Sequence, residues 1–229
     1  MKDNDDDSHT MTVTSYGDST GLYGETVTVT SSKDIFTADD VGRWIKIEYT
    51  DEGGLITTGD YDPAGAGVIP NSTASLDGEF ELVYRFGDGS ENGSINLEYS
   101  VDGGTTWQVY DNFPDINKTV RITATGELRA EDYNNITPQI RFYATANSYR
   151  FYWTLKKKRE LRTAYLKITT YSSATSVRAK VYRRMTQLDV PTTNWALGAW
   201  GTVPGWPSSV TFHQGRLVFA GTTSEPSKV

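Results

Sequence analysis

The chain has no cysteine and only two histidines among 229 residues. The first absence excludes a disulfide framework and a thiolate metal site. The second leaves a His-based metal site or a Ser/His triad with almost no raw material. His213 is the one plausible catalytic imidazole, and its plainer reading is a strand residue whose ring packs or hydrogen-bonds locally. Helical periodicity is nearly absent as well, and no apolar run approaches the ~20 residues that cross a bilayer. No membrane segment is therefore expected. The start, Met1-Lys-Asp-Asn-Asp-Asp-Asp7, is polar and carries His9 just after it, so residues 1–10 are expected to form a disordered acidic tail.

What is present is charge of both signs, unevenly placed. The net charge is −7, which argues against general nucleic-acid affinity. Residues 150–184 nevertheless hold Arg150, Lys156, Lys157, Lys158, Arg159, Arg162, Lys167, Arg178, Lys180, Arg183 and Arg184 against Glu160 alone. Such a run reads as a basic face, with Lys156 to Arg159 and Arg183–Arg184 at its centre. It suits solvated strand faces or an acidic neighbouring subunit, and DNA contact is the second reading.

Period-two alternation bounded by Gly, Asn, Asp and Ser runs along the whole length, which makes the chain all-β. Met11 to Tyr16 and Glu25 to Thr30 are Thr/Val strands of the kind that fit half-buried pleated surfaces. Thr37 to Asp40 has the pattern of a capping box on a short helical turn, and Trp44 to Tyr49 is the next strand. Residues 50–78 hold Gly-Gly and Asp-Pro-Ala-Gly-Ala-Gly and read as an irregular connection. From Glu79 the strands become more aromatic: Phe80/Leu82/Tyr84/Phe86, Ile95/Leu97/Tyr99, Trp107/Val109, Val120/Ile122/Ala124, Ile140/Phe142/Ala144 and Phe151/Trp153/Leu155. Six strands at this spacing predict a β-sandwich of jelly-roll or Ig-like type over 78–158, with a type I′ hairpin at Asn92-Gly93. The later strands, Ala164 to Thr170 and Ser176 to Tyr182, resemble the N-terminal pair in composition. The expected architecture is a small discontinuous β-barrel, residues 11–75 plus 160–190, into which the antiparallel sandwich is inserted. Residues 191–229 are expected to be an extended segment in which Val210 to Phe219 forms one buried strand.

The most specific short pattern is Ser100-Val-Asp102-Gly-Gly104-Thr-Thr106-Trp107, which matches Ser-x-Asp-x-Gly-x-Thr-Trp and resembles the Asp-box. In that motif the Ser and Asp bond the backbone of a tight hairpin, the Gly supplies positive φ, and the Trp packs beneath the turn. Sialidases carry such boxes away from their active sites, so a single copy predicts a rigid hairpin before it predicts a glycosidase. The carboxylates lie mostly in turns, where Asp bonds local backbone, and sequence cannot supply the paired placement that glycoside hydrolysis requires. No Asp-Gly turn has the ligand alternation of a calcium loop, and no metal, cofactor or catalytic residue is assigned. Tyr110, Phe113, Tyr133 and Tyr149 could stack on sugar rings, although core and interface packing is the commoner use of Tyr in a β-protein. The acceptor patterns at Asn71, Asn92 and Asn117 matter only in a secreted eukaryotic chain.

Three stretches carry a family resemblance. The last third of a hundred residues reads Trp195-Ala-Leu-Gly-Ala-Trp200, Gly205-Trp-Pro207 and Val210-Thr-Phe212-His-Gln-Gly-Arg216-Leu217-Val-Phe219-Ala-Gly221-Thr222, with Pro226 beyond. It resembles a segment of tail proteins from short-tailed phages, Trp-x-x-Gly-x-Trp, Gly-Tyr-Pro, then Phe-x-x-x-Arg-Leu-x-Phe-x-Gly-Thr before a Pro. Trp206 stands where Tyr is usual. Upstream, Asp34-Ile-Phe36 with Asp39-Asp40-Val41-Gly42-Arg43 resembles the same family's Phe-x-x-x-Asp-Val-Gly-Arg element, and Lys167 to Val177 resembles its Ile-Thr-x-x-x-Ser-x-Thr hairpin.

The resemblance implies a virion tail subunit of nozzle or hub type, made in the cytoplasm of a bacterial host or carried on a prophage. It would work as a ring-forming homo-oligomer in contact with other tail proteins, with DNA passage or glycan contact as further expectations. It also implies that the closing strand opens a larger C-terminal β-domain after residue 229. A carbohydrate-binding sandwich used in host adsorption is the alternative reading, and a fragment of a glycan-cleaving enzyme the second alternative.

Overall fold

The computed structural model describes residues 2–3, 8–87, 94–114, 120–146, 150–202, 205–214 and 216–222. The Asn92-Gly93 turn, Tyr149, Asn117 and Pro226 lie outside the described residues. The described residues form eighteen strands, and alternation of apolar and polar side chains buries one face of most of the longer ones. The first four are β1 (Lys2–Asp3), β2 (Met11–Ser15), β3 (Thr26–Ser31) and β4 (Trp44–Asp51). Nine follow: β5 (Gly54–Tyr61), β6 (Gly67–Val68), β7 (Ala74–Ser75), β8 (Gly78–Phe86), β9 (Ser94–Ser100), β10 (Gln108–Pro114), β11 (Ile122–Leu128), β12 (Gln139–Ala144) and β13 (Phe151–Lys157). The last are β14 (Glu160–Ser173), β15 (Ser176–Arg183), β16 (Trp195–Leu197), β17 (Ser209–His213) and β18 (Arg216–Ala220). The protein is all-β, with antiparallel sheets.

The chain divides into two compact units, residues 1–51 with 161–229 and residues 52–160. In the first, one sheet runs β1-β16-β4-β14-β15-β3-β2. Thr-Val alternation on β3 sends Val27 and Val29 inward and Thr26, Thr28 and Thr30 outward. The far edge strand curls back, because Met11 and Thr192 exchange both backbone hydrogen bonds at 2.8 and 2.9 Å and the Asp189 amide donates to the Val13 carbonyl at 2.8 Å. The resulting small barrel is filled by residues that include Met11, Ile45, Ile47, Leu166, Val181 and Trp195.

The second unit pairs one sheet of order β10-β9-β12-β6, with β7 also on β12, and another of order β11-β8-β13-β5. Between the inward faces lies an aromatic core around Phe80, Phe86, Phe142, Phe151 and Trp153. Phe151 and Trp153 are stacked at 5.6 Å, while Phe142 meets Phe151 edge-on at 5.3 Å, both favoured ring geometries. A bulge between Val109 and Asp111 adds a residue to β10. Tyr110 thereby packs against Phe80 at 5.5 Å.

Three boundaries differ from the sequence expectation. The second unit begins at Glu52 and takes in β5 to β7, because Gly54–Tyr61 pairs along the whole of β13 and Ile69 and Leu76 are fully buried in the aromatic core. The stretch 50–78, with its turn-forming dipeptides, is thus partly sheet. The N-terminal tail is not without structure: Lys2 and Asp3 pair with Leu197 and Ala196, and His9 is buried. The described part of residues 191–222 is not simply extended, since β16 is an interior strand of the barrel sheet and β17 and β18 form a two-stranded hairpin.

Candidate functional site

The tight turn between β9 and β10 is built by its own side chains. Ser100 Oγ donates to Asp102 Oδ1 at 2.7 Å and accepts from the Gly104 amide at 2.9 Å. The Asp102 carboxylate accepts from the Thr105 and Thr106 amides at 3.0 and 2.9 Å and from the Thr106 hydroxyl. These donors, Thr106 foremost and Ser100 after it, hold the Asp102 carboxyl down to about 2. Gly103 and Gly104 take φ of 73° and 89°, the left-handed conformations the turn requires. Trp107 closes the turn by donating from Nε1 to the Gly104 carbonyl at 2.9 Å. Arg141 lies over its ring at 4.1 Å while bonded to the buried Glu98 at 2.7 Å. The carboxylate is thus fully engaged within its own loop, and the indole face is covered by a guanidinium.

The Asp-Val-Gly-Arg element and the Trp-x-x-Gly-x-Trp element meet in the barrel. Asp40 is buried and accepts from the Thr37 amide at 2.8 Å and from Arg43 at 2.6 Å. Arg43 Nε continues to the Gly198 carbonyl at 2.8 Å, and the Gly198 amide returns to the Trp44 carbonyl at 2.7 Å. Gly42 joins the same edge through its amide to the Ile168 carbonyl at 2.8 Å, while Val41 is exposed. Trp195 is buried, donates from Nε1 to the His9 carbonyl at 3.0 Å and meets the His9 ring edge-on at 4.7 Å. His9 Nε2 also lies 2.6 Å from Ser31 Oγ. Sequence reasoning placed His9 in a solvated tail; its partners are distant in the chain and leave no local signal.

The closing motif folds differently from its expectation. The segment Val210 to Phe219 is two strands, not one, with His213 opposite Arg216 and Gln214 at φ 48° in the turn between them. Cross-strand pairing puts Val210 beside Phe219 and Phe212 beside Leu217. All four therefore share one face of the ribbon. That face is exposed: Phe212 is 77% accessible, Val210 57% and Leu217 49%. Trp200 packs edge-on against Phe219 at 4.7 Å, and Trp206 is 62% exposed nearby in the chain. Gly201 and Gly205 pair through their backbones, Pro207 is half-buried, and Gly221 accepts from the Ser208 amide at 2.7 Å. His213 lies on a wholly exposed strand.

The basic run is divided between the two units, with Lys156 to Arg159 in one and Arg183 and Arg184 in the other. Lys158 faces Glu79 at 3.6 Å and Arg159 bonds Glu52 at 2.9 Å, while Lys156 is exposed on β13 and Lys157 half-buried beside it. Arg183 and Arg184 are half-buried at the end of β15. Of the candidate sugar-stacking residues, Phe113 is in the core, while the half-buried Tyr110 and Tyr133 flank Tyr99 at 6.4 and 5.5 Å and Tyr110 accepts from the Glu127 amide at 3.0 Å. Burial, then its hydrogen bond with Tyr99, pushes the Tyr133 phenol up to about 12. Among the described residues no group of three or more His, Asp or Glu side chains is placed to hold a metal ion, and no helix is long and apolar enough to cross a membrane.

No protein-family model and no curated protein matches the sequence. Among solved structures, the chain is similar to the C-terminal family 22 carbohydrate-binding module of Clostridium thermocellum Xyn10B. The identity is 11% over 67% of this chain and 98% of that one, at a TM-score of 0.30.

Proposed function

We propose that the chain is a structural subunit of a phage or prophage tail, of nozzle or hub type, that acts by assembly with copies of itself and other tail proteins. The observation that carries this reading is the apolar face of the β17–β18 ribbon. A two-stranded ribbon is marginal on its own in water, and this one presents Val210, Phe212, Leu217 and Phe219 to solvent. Covering such side chains is worth roughly 1.5–3 kcal/mol each at full burial, which a neighbouring subunit can supply and a solitary chain forgoes. The same ribbon holds Phe212, Arg216, Leu217 and Phe219, with Gly221 just after it, residues of the closing motif through which the chain resembles tail proteins. Asp40, Gly42, Arg43 and Trp195, which are among the other residues of the resemblance, brace the barrel.

Sedimentation velocity tests the reading directly. The native chain is expected to self-associate with rising concentration, and Phe212→Ser with Leu217→Ser is expected to return it to a monomer without changing its β-sheet spectrum. A native chain that stays monomeric, or association that survives both substitutions, would exclude the ribbon as the assembly surface.

A further inference from the structure

The outward face of the barrel strands β4, β14 and β15 carries a second surface, built from cations and rings. Along β15 the inward Val177, Ala179 and Val181 alternate with outward Arg178, Lys180 and Tyr182. Lys180 lies directly opposite Lys167 of β14. Like charges in that position destabilise a sheet, and neither Lys167, Lys180 nor Arg178 has an ion-pair partner among the described residues. Each instead lies over an aromatic ring: Lys167 at 5.8 Å from Trp44, Lys180 at 6.0 Å from Tyr182, and Arg178 at 4.2 Å from Tyr16. The rings continue the strip. Trp44 meets Tyr182 edge-on at 4.7 Å, and Tyr182 meets Tyr23 edge-on at 6.1 Å. Tyr23 is 50% exposed and Tyr16 43%.

Packing does not account for this arrangement. Cations side by side without an ion-pair partner cost stability that exposed cation–π contacts offset only in part, and half-exposed tyrosines forgo burial, so the strip has the composition of a surface that waits for an anionic ligand with flat apolar faces. Two polymers have that chemistry, an acidic glycan and a single-stranded nucleic acid. The chain's net charge of −7 repels a polyanion that carries a charge on every nucleotide, and counterion release from three cations offsets little of it. A glycan brings sparse carboxylates and hydroxyls, matched here by phenol groups and by Thr26 and Thr28, which pair with Lys180 and Arg178 on the neighbouring strand.

We propose that this face binds an acidic oligosaccharide, with sugar rings against Tyr182 and Tyr23 and a carboxylate or sulfate between Lys167 and Lys180. Calorimetric titration of the whole chain tests it with four probes: a hyaluronan oligosaccharide, with a carboxylate on every second sugar, an oligosaccharide bearing a single sulfate, a neutral oligogalactose and a single-stranded oligothymidylate. At least one acidic sugar is expected to bind, with affinity falling as salt is raised, and the neutral sugar to bind about tenfold more weakly or not at all. Tyr182→Ala and the surface change Lys180→Gln are each expected to weaken the acidic sugar about tenfold while the β-sheet spectrum stays native. Failure of both acidic sugars to bind, equal affinity for the neutral one, tighter binding of oligothymidylate, or indifference to both substitutions would overturn the proposal.

Discussion

Arg43 Nε donates to the carbonyl of Gly198 at 2.8 Å, across 155 residues of chain, while its Nη1 holds the buried Asp40 carboxylate at 2.6 Å. One guanidinium thereby ties the turn before β4 to the loop after β16. Removing it leaves both a buried charge and a carbonyl to find new partners. Arg43→Ala is expected to cost about 2–4 kcal/mol in urea unfolding, because the buried Asp40 carboxylate loses its guanidinium and keeps only the Thr37 donors. Arg43→Lys keeps a charge near Asp40 but cannot span both acceptors, so it should recover only part of the loss. A cost below about 0.5 kcal/mol for the alanine variant would show that the contact is incidental.

This contact also marks the limit of what the sequence discloses. The inward sets Phe80/Leu82/Tyr84/Phe86 and Phe151/Trp153/Leu155 are legible because period-two burial is written into neighbouring residues. The Ser100 to Trp107 turn is legible for the same reason, as its bonds span at most four residues. Gly54–Tyr61 escapes because its Gly and Thr content resembles a loop, and its strand character comes from pairing with β13 about a hundred residues later. The turn at Gln214 escapes because the flanking apolar residues read as one continuous strand, although a Gly follows it in the sequence. His9 escapes because Ser31 and Trp195, which bury it, lie 22 and 186 residues away.

The Asp102 turn has a defined response to acid. Its carboxyl is lowered from 3.8 to about 2 by Thr106 and Ser100, so the charged form is the one the fold prefers. A depressed folded value contributes stability that is fully present above the unfolded value and is lost as pH falls from about 4 through about 2. Carbon-detected titration of the carboxyl should show a midpoint near 2, and exchange protection of the Thr105 and Thr106 amides should fall over the same range. Asp102→Ala should remove that protection at neutral pH. A midpoint near the ordinary carboxylate value would mean that the Thr106 and Ser100 bonds are not maintained in solution.

Gly126 lies where β11 closely approaches the aromatic core. A Cβ there would lie on the Tyr110 hydroxyl and 2.5 Å from the Phe80 ring. Neither ring can retreat cheaply, since Phe80 is buried and Tyr110 is held at Glu127. Gly126→Ala is therefore expected to cost about 1–3 kcal/mol through overpacking. Gly65, with nothing within 4 Å of its added Cβ, is the control, and Gly65→Ala should stay within about 0.5 kcal/mol. Equal effects at the two positions in thermal unfolding would refute the packing account.

The two units should separate as folding bodies. Each has its own hydrophobic cluster, and each described sheet is completed within one unit. The chain enters and leaves residues 52–160 side by side: Arg159 bonds Glu52 at 2.9 Å, Gly54 pairs with Lys157, and a side chain at Gly53 would meet the Lys158 carbonyl carbon at 2.7 Å. Neighbouring ends make an insertion easy to remove, because a short linker closes the gap with little loop entropy. Residues 52–160 expressed alone are expected to unfold cooperatively and give dispersed amide resonances. Asp51 joined to Leu161 through a short Gly-Ser linker should likewise keep the β14–β15 register, read from cross-strand contacts between Leu166 and Val181. The order of the sheet makes the second construction the harder test, since β4 and β14 are adjacent in it and flank the excised segment. If the isolated 52–160 segment gives a collapsed amide spectrum while the intact chain does not, the aromatic core depends on the rest of the chain, and the division at Asp51 and Leu161 is not a folding boundary.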